Sequence, residues 1–325
     1  MRAVVAKGLG GPEVLELREV PDPDIGDDEV LIKVAAAGVN RADLLQLKGQ
    51  HPPPPGAPPY LGLECSGVIE RLGARVDGWK VGDEVCALLG GGGYAEKVAV
   101  AASQLLPIPR GVSLRDAASL PEVACTVWST VFMACHLSAG ESVLIHGGSS
   151  GIGTFAIQMA KSIGAQVLAT AGSEKKLDLC KQLGAEVAIN YKDDDFVARV
   201  KEATHGEGVD VILDMVGASY FERNLEALGM DGRLFIIGFQ GGASGQLSLL
   251  PILKKRLIVS AAGLRTRAPE SKAQIVAEVW QNVWPAVEEG KVKPVIYRVF
   301  PLEEAAQALQ LMVANQHFGK ILLTP

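Results

Sequence analysis

Paired cysteines and a surplus of basic charge are missing from this 325-residue sequence. Its five cysteines, Cys65, Cys86, Cys125, Cys135 and Cys180, are odd in number and never form CxxC. Neither a disulfide framework nor a structural zinc lobe is expected, and a reducing compartment suits the chain. Lys and Arg number 31 against 37 Asp and Glu, a formal charge of −6, so a nucleic acid or an anionic membrane surface meets no global attraction. Aromatic residues are few, with eight Phe, five Tyr and four Trp against 37 Gly, which directs attention to loops and close backbone approaches. The start MRAVVAKGLGGPEVLELREV reaches Gly-Pro and charged residues too early for a signal or transit peptide, so the expected location is cytoplasmic. Between Val123 and Ala160 only Glu141 is charged, yet the glycines from Gly147 to Gly153 and the polar Thr126, Ser129 and His136 argue against membrane spans there. What remains is a folded composition, 48% hydrophobic and 21% charged, with room for about two domains of roughly 150 residues.

The first 120 or so residues alternate short β-rich runs at 3–6, 14–20, 29–36, 67–72, 84–88 and 95–100 with turn signals such as Gly26-Asp27 and Gly82-Asp83. This pattern predicts an irregular β-barrel. One helix interrupts it from Asn40, where NRADLLQLKG offers a capping Asn, three leucines and a terminal Gly49, and the proline run after His51 must be extended. After Pro121 the period changes. Apolar runs at 142–146, 165–172, 185–191, 208–217, 232–239 and 256–264 alternate with helical segments, which predicts a doubly wound α/β Rossmann unit with a six-stranded parallel sheet. The tail has a helix at 270–287, a strand VIYRVFP, a helix LEEAAQALQLMVAN and a strand GKILL, but no core of its own. It is therefore expected to complete the first domain, giving a barrel domain of 1–122 plus 266–325 around a nucleotide-binding domain of 123–265.

The segment VLIHGGSSGIG sets Gly148, Gly151 and Gly153 between a strand and a helix, where glycines admit a pyrophosphate and a helix N-terminus stabilises its charge. Tight packing of the turn is the alternative account of the glycines. The next strand ends in Ala171-Gly172-Ser173 with no acid to hold a ribose 2′-hydroxyl, while Lys175 and Lys176 follow in the first helical turn. NADPH is favoured over NADH, with Glu174 as the contrary sign and a solvated helix face as the other account of the lysines. Tyr191, ending the third strand, can pack at the adenosine end or be an ordinary buried strand-end tyrosine.

Taken with GVNRADLLQLKG, LGLECSGVIE, VGDEV, HGGSSGIG and GAEVAINY, the domain order resembles the zinc-independent, zeta-crystallin-type quinone oxidoreductases of the medium-chain dehydrogenase/reductase superfamily over essentially the whole chain. NRADLLQ, PPPGA, TAGSEKKL and NYK resemble most the tumour-suppressor-inducible subgroup. The resemblance implies a GroES-like β-barrel catalytic domain with a Rossmann domain, NADPH, a homodimer, and reduction of quinones, often with a one-electron outcome. It also implies that Asn40, Asp43 and Thr126 surround the nicotinamide and that Ser150, Gly151, Ile152 and Gly153 hold the pyrophosphate. Gly172, Ser173, Lys176 and Tyr191 would surround the adenosine phosphate, and backbone near Phe239 and Leu264 the nicotinamide riboside. One departure stands out: the subgroup tends to carry Tyr before its proline run, and this chain has His51. With a pKa near neutrality His51 can protonate a reduced quinone, or it can be an exposed loop imidazole.

Zinc alcohol dehydrogenases of the superfamily place a Cys where this chain has Asn40, a His in a GHE motif where it has Leu63-Glu64, and a hydroxyl relay where it has Ala42. Two of three zinc ligands are thus absent, no metal is expected, and Glu64 and Cys65 read as core packing. Without a metal or an evident acid–base pair the acceptor must take hydride readily by itself, as quinones and activated enones do, with the protein supplying proximity in an interdomain cleft. Gly90 to Gly93 are expected to form either a mobile loop near it or a plain hairpin turn. Three readings follow: an NADPH:quinone oxidoreductase, a 2-alkenal or enone reductase, and a cofactor-binding crystallin-like or RNA-binding protein, the last opposed by the acidic balance. The apolar run RLIVSAAGL, at a sheet edge, predicts edge-to-edge dimerisation.

Overall fold

The computed structural model describes residues 1–325. Its contacts divide the chain into two units, one of Met1–Cys125, Leu264–Gly290 and Pro294–Pro325, the other of Thr126–Gly263 with Lys291–Lys293. In chain order the strands are β1 (Arg2–Ala6), β2 (Leu15–Glu19), β3 (Glu29–Val39), β4 (Glu64–Leu72), β5 (Glu84–Leu88), β6 (Lys97–Ala101), β7 (Leu105–Pro107), β8 (Ser142–Ile145), β9 (Gln166–Ala171), β10 (Val187–Asn190), β11 (Val209–Asp214), β12 (Leu228–Ile236), β13 (Ile258–Ala261), β14 (Ile296–Pro301) and β15 (Lys320–Thr324).

The first unit is built on a seven-stranded sheet in the order β14-β15-β3-β4-β5-β7, with β6 also on β3. Its central strand β3 is buried along almost its whole length, and two register shifts against β4 mark where a flat ladder is interrupted. The tail enters this sheet through β15, antiparallel to β3, and parallel to β14. Phe300, Leu302, Leu309, Ile321 and Leu323 of the tail share one core with Ile32, Ile69, Val85 and Tyr94. The helix foreseen after Asn40 spans Arg41–Leu47, and Gly49 follows it at φ 71°, a left-handed conformation that a side chain resists. Several helical segments differ from the sequence reading. The tail helix is broken into Pro269–Asn282 and Trp284–Glu288, because Pro285 has no amide to continue the ladder. Short helices at Leu114–Ala117 and Pro121–Val127 went unforeseen; the second is apolar on most sides and lacks an amphipathic period.

The second unit holds the six-stranded parallel sheet in the order β10-β9-β8-β11-β12-β13, with each crossover adding a strand beside or beyond β8. This is the doubly wound order, reversing at β8, where ligands of such sheets bind. Leu144, Leu168, Ile189, Ile212 and Leu234 close its core with Phe196, Val200 and Leu225 from the helices. No helix is long and apolar enough to cross a membrane.

Candidate functional site

Strand β8 delivers His146 and then the glycine-rich turn. Gly147 has φ 68°, and Ser150 caps the helix Gly151–Ser162 by accepting the Gly153 N–H at 3.0 Å. A Cβ on Gly153 would overlap the backbone of Gly147 and Gly148, and one on Gly148 would come within 2.7 Å of the Ala169 side chain and 2.9 Å of Cys180 Sγ. Close packing thus requires both glycines, and as in any α-helix the first-turn amides of Gly151 and Ile152 have no intrahelical acceptors, which suits them to an anion. His146 braces the turn from inside. Its Nε2 lies 2.8 Å from Asn224 Oδ1 and its Nδ1 3.2 Å from Thr170 Oγ1, which also accepts the Gly147 N–H. Fully buried, its imidazole is pushed down to about 4 and is neutral.

At the end of β9, Gly172 meets Tyr191: a Cβ there would sit 2.5 Å from the phenol oxygen. Tyr191 is 38% exposed, so it is not the buried strand-end tyrosine of the alternative reading. Ser173 caps the helix Glu174–Leu183 in extended conformation without giving its side chain to a capping bond. Burial and the neighbouring charge of Lys192 hold the half-buried Lys176 ammonium below its usual pKa. Gly172, Ser173, Lys176 and Tyr191 are therefore brought together, and Lys192, which the sequence reading missed, joins them from beside Tyr191. Phe239 follows β12, 57% exposed, and Leu264 is buried and groups with the first unit. Thr126 is buried in the helix Pro121–Val127, its carbonyl accepting the Thr130 hydroxyl at 2.7 Å.

In the first unit Asn40 lies half-buried at the start of its helix. Its Nδ2 donates to Glu64 Oε1 at 3.0 Å and, more weakly, to the Gly38 carbonyl at 3.3 Å, while its Oδ1 accepts from Lys320 Nζ at 2.8 Å. Lys320 forms an ion pair with Glu64, whose other oxygen accepts the Glu122 N–H at 2.9 Å. Asp43 is also enclosed. It accepts the Asn40 N–H at 2.8 Å, the Tyr94 hydroxyl at 2.8 Å and the Gly62 N–H at 3.2 Å, and burial raises its pKa. Its place is that of an anchor tying the helix start to the Gly62 loop rather than a group open to a substrate.

His51 is half-buried, and burial together with the positive charge of Arg265 lowers its pKa, so its side chain is neutral at pH 7. Arg265 donates to the His51 carbonyl and to the Gly90 carbonyl, both at 2.9 Å.

Residues 26–110 match the alcohol dehydrogenase GroES-like domain, and residues 151–281 match the zinc-binding dehydrogenase family. The chain is 34% identical to quinone oxidoreductase of Rattus norvegicus, over 99% of this chain and 97% of that protein. The chain belongs to the quinone oxidoreductase family. Among solved structures, the oxidoreductase superposes on Escherichia coli quinone oxidoreductase complexed with NADPH with a TM-score of 0.90 at 27% identity, over 100% of both chains. An NAD-dependent alcohol dehydrogenase gives a TM-score of 0.89 at 35% identity, again over 100% of both.

Zinc-binding dehydrogenases hold a metal, but the residues of this oxidoreductase do not fit one. Asn40 has no thiolate and its amide is committed to Glu64 and Lys320, Leu63 is a buried hydrocarbon, and the Glu64 charge already faces an ammonium. No three His, Cys, Asp or Glu side chains converge on a common point. Two expectations need correction. Glu64 is not core packing: a carboxylate with no exposed surface persists only where it is paired and hydrogen-bonded, and Lys320, Asn40 and Glu122 supply those partners. Gly90 to Gly93 are not an exposed turn: Gly91, Gly92 and Gly93 are buried, and Arg265 donates to the Gly90 carbonyl. Sequence reasoning missed Lys320 and Arg265, whose only local signal is a basic residue beside a buried apolar run.

Proposed function

We propose that this oxidoreductase is a zinc-independent NADPH:quinone reductase, acting as a cytoplasmic homodimer. The observation that carries the cofactor choice is the end of β9, where an uncommitted Ser173 hydroxyl and the basic pair Lys176 and Lys192 stand in place of an acid. The charge of Lys192 adds to burial in lowering the Lys176 pKa, and the 2′-phosphate of NADPH would offset those charges where the 2′-hydroxyl of NADH would not. Ser150, Gly151, Ile152 and Gly153 would hold the pyrophosphate, Gly172 would leave room beside the Tyr191 ring for the adenosine, and Phe239 and Leu264 would border the nicotinamide riboside. Thr126 and the Asn40 carboxamide would meet the nicotinamide ring.

When bound, the nicotinamide supplies a hydride. The protein offers no strong acid for the acceptor: Asp43 is enclosed and His51 is neutral at pH 7. This favours a quinone, whose incoming charge is delocalised over its own oxygens and whose protonation can follow from water. An alcohol in the reverse direction would need its hydroxyl proton removed, and Ala42 carries no group to accept it.

The test is NADPH and NADH oxidation by chelator-treated enzyme with 1,4-benzoquinone, 9,10-phenanthrenequinone and a 2-alkenal. Quinone-dependent NADPH turnover that survives chelation is expected. Lys176→Ala should raise the KM for NADPH by about tenfold, roughly 1.4 kcal/mol, while leaving that for NADH nearly unchanged. Turnover of the alkenal alone would make the chain an enone reductase, and tight NADPH binding without turnover of any acceptor would make it a cofactor-binding protein.

A further inference from the structure

Five segments converge on one carboxylate inside the first unit: Gly38 from β3, Asn40 at the helix start, Glu64 opening β4, Glu122 opening the helix Pro121–Val127, and Lys320 opening β15. A carboxamide has two near-isosteric ends, and a half-turn about its last bond exchanges a donor for an acceptor. Glu64 can only accept and Lys320 can only donate. Only one orientation of Asn40 therefore satisfies both, with Nδ2 toward Glu64 and Oδ1 toward Lys320. The opposite one would set an NH2 against an ammonium and an oxygen against a carboxylate.

We infer that Lys320, through its ion pair with Glu64, is a positioning residue that fixes which end of the Asn40 carboxamide faces the cofactor. The inference rests on the reading of Asn40 as a nicotinamide contact. In the fixed orientation Nδ2 is spent on Glu64 and Gly38, and Oδ1 is the accepting end, bonded to Lys320 at the mouth of the capping box with Asp43. Asn40 thus presents an acceptor, which matches the N–H groups of a nicotinamide carboxamide. Glu64 is itself fixed, by the Glu122 amide on Oε2 and by the absence of a side chain at Gly38, where a Cβ would overlap the carboxylate. Lys320 is 5% exposed and Glu64 has no exposed surface, so bulk water cannot compete with the arrangement. Stability alone does not call for a pair in this place, since buried ion pairs are commonly replaced by apolar side chains without loss.

That last property provides the test. Removing one charge would strand the other, so both are replaced in Glu64→Leu/Lys320→Met, and the variant is compared with Asn40→Ala and with the triple variant. Melting temperature, NADPH affinity from the reduced-nicotinamide fluorescence, and quinone-dependent kcat and KM are measured on each. The double variant is expected to melt within a few degrees of the parent and keep its KM for quinone, with kcat reduced 10- to 100-fold. Adding Asn40→Ala should cost no more than about a further twofold, because the amide has already lost its orientation. Full kcat in a folded double variant overturns the inference, as does a multiplicative loss in the triple variant. Unchanged turnover in Asn40→Ala instead removes the underlying reading of Asn40, and the inference with it. If Glu64→Leu/Lys320→Met does not fold, Glu64→Gln/Lys320→Met keeps the volume and the Glu122 hydrogen bond and is read by the same criteria.

Discussion

His146 links a buried side chain to the turn in front of it. Its ring stands edge-on to Phe196 and Tyr220, 4.9 and 5.0 Å away, and reaches the Gly147 amide through Thr170. Protonation would place a charge in that apolar setting, which is why the pKa falls from 6.5 to about 4. Between those values the unfolded chain binds a proton that the folded chain refuses. Stability therefore falls as the pH drops from 6.5 toward 4, by about 1.4 kcal/mol per pH unit and about 3 kcal/mol in all. Denaturant unfolding at pH 7, 6 and 5 should give this slope for the parent and a flatter one for His146→Gln. The difference isolates the imidazole from the carboxylates titrating in the same range, and parallel slopes would refute the account. What the sequence disclosed here depended on distance along the chain. Ser150 and Gly153 were readable because they are each other's partners within one turn of the chain. Lys320, 280 residues from Asn40, was not, since a lysine opening a GKILL strand carries no sign of the carboxylate it will meet.

The last strand of the parallel sheet poses a different problem. β13 pairs with β12 on one side, and Ile258 and Val259 are 60% and 37% exposed. The helix before it, Leu250–Lys255, adds Leu250 and Leu253 at 53% and 77%. An apolar edge with no proline, bulge or inward charge is a template for another strand. A second copy of β13 across a two-fold axis would cover the same residues on both chains. Light scattering at micromolar concentration should therefore give a dimer mass for the parent and a monomer mass for Ile258→Lys/Val259→Lys, and a monomeric parent would rule this arrangement out. The six strands were legible because each βα repeat is a local change of period followed by a turn. The helix Pro121–Val127 and the break at Val283 were not, because one has apolar residues on nearly every side and the other depends on a single Pro285.

The order of segments makes the two units unequal in what they require of the chain. Thr126–Gly263 carries all six parallel strands and their core in one continuous stretch, apart from the paired hydrogen bonds between Gln158 and Lys293. The first unit is discontinuous, and its tail contributes Phe300, Leu302, Leu309, Met312, Ile321 and Leu323 to the core. At about 1.5–3 kcal/mol for each buried side chain, that set supplies on the order of 10 kcal/mol, comparable with the whole stability of a domain. Removing the tail would also unpair one side of β3 and strand Glu64 without its ammonium. A chain ending at Gly290 should therefore express with a disordered first unit, seen as rapid proteolysis before residue 125. A fragment of residues 126–263 should melt cooperatively and retain NADPH binding by fluorescence titration, with no quinone turnover. Binding by the fragment would locate the cofactor's recognition in the continuous unit alone. A fragment that folds without binding would mean that Ser150, Ser173 and Lys176 are insufficient and that residues of the discontinuous unit share in holding the dinucleotide.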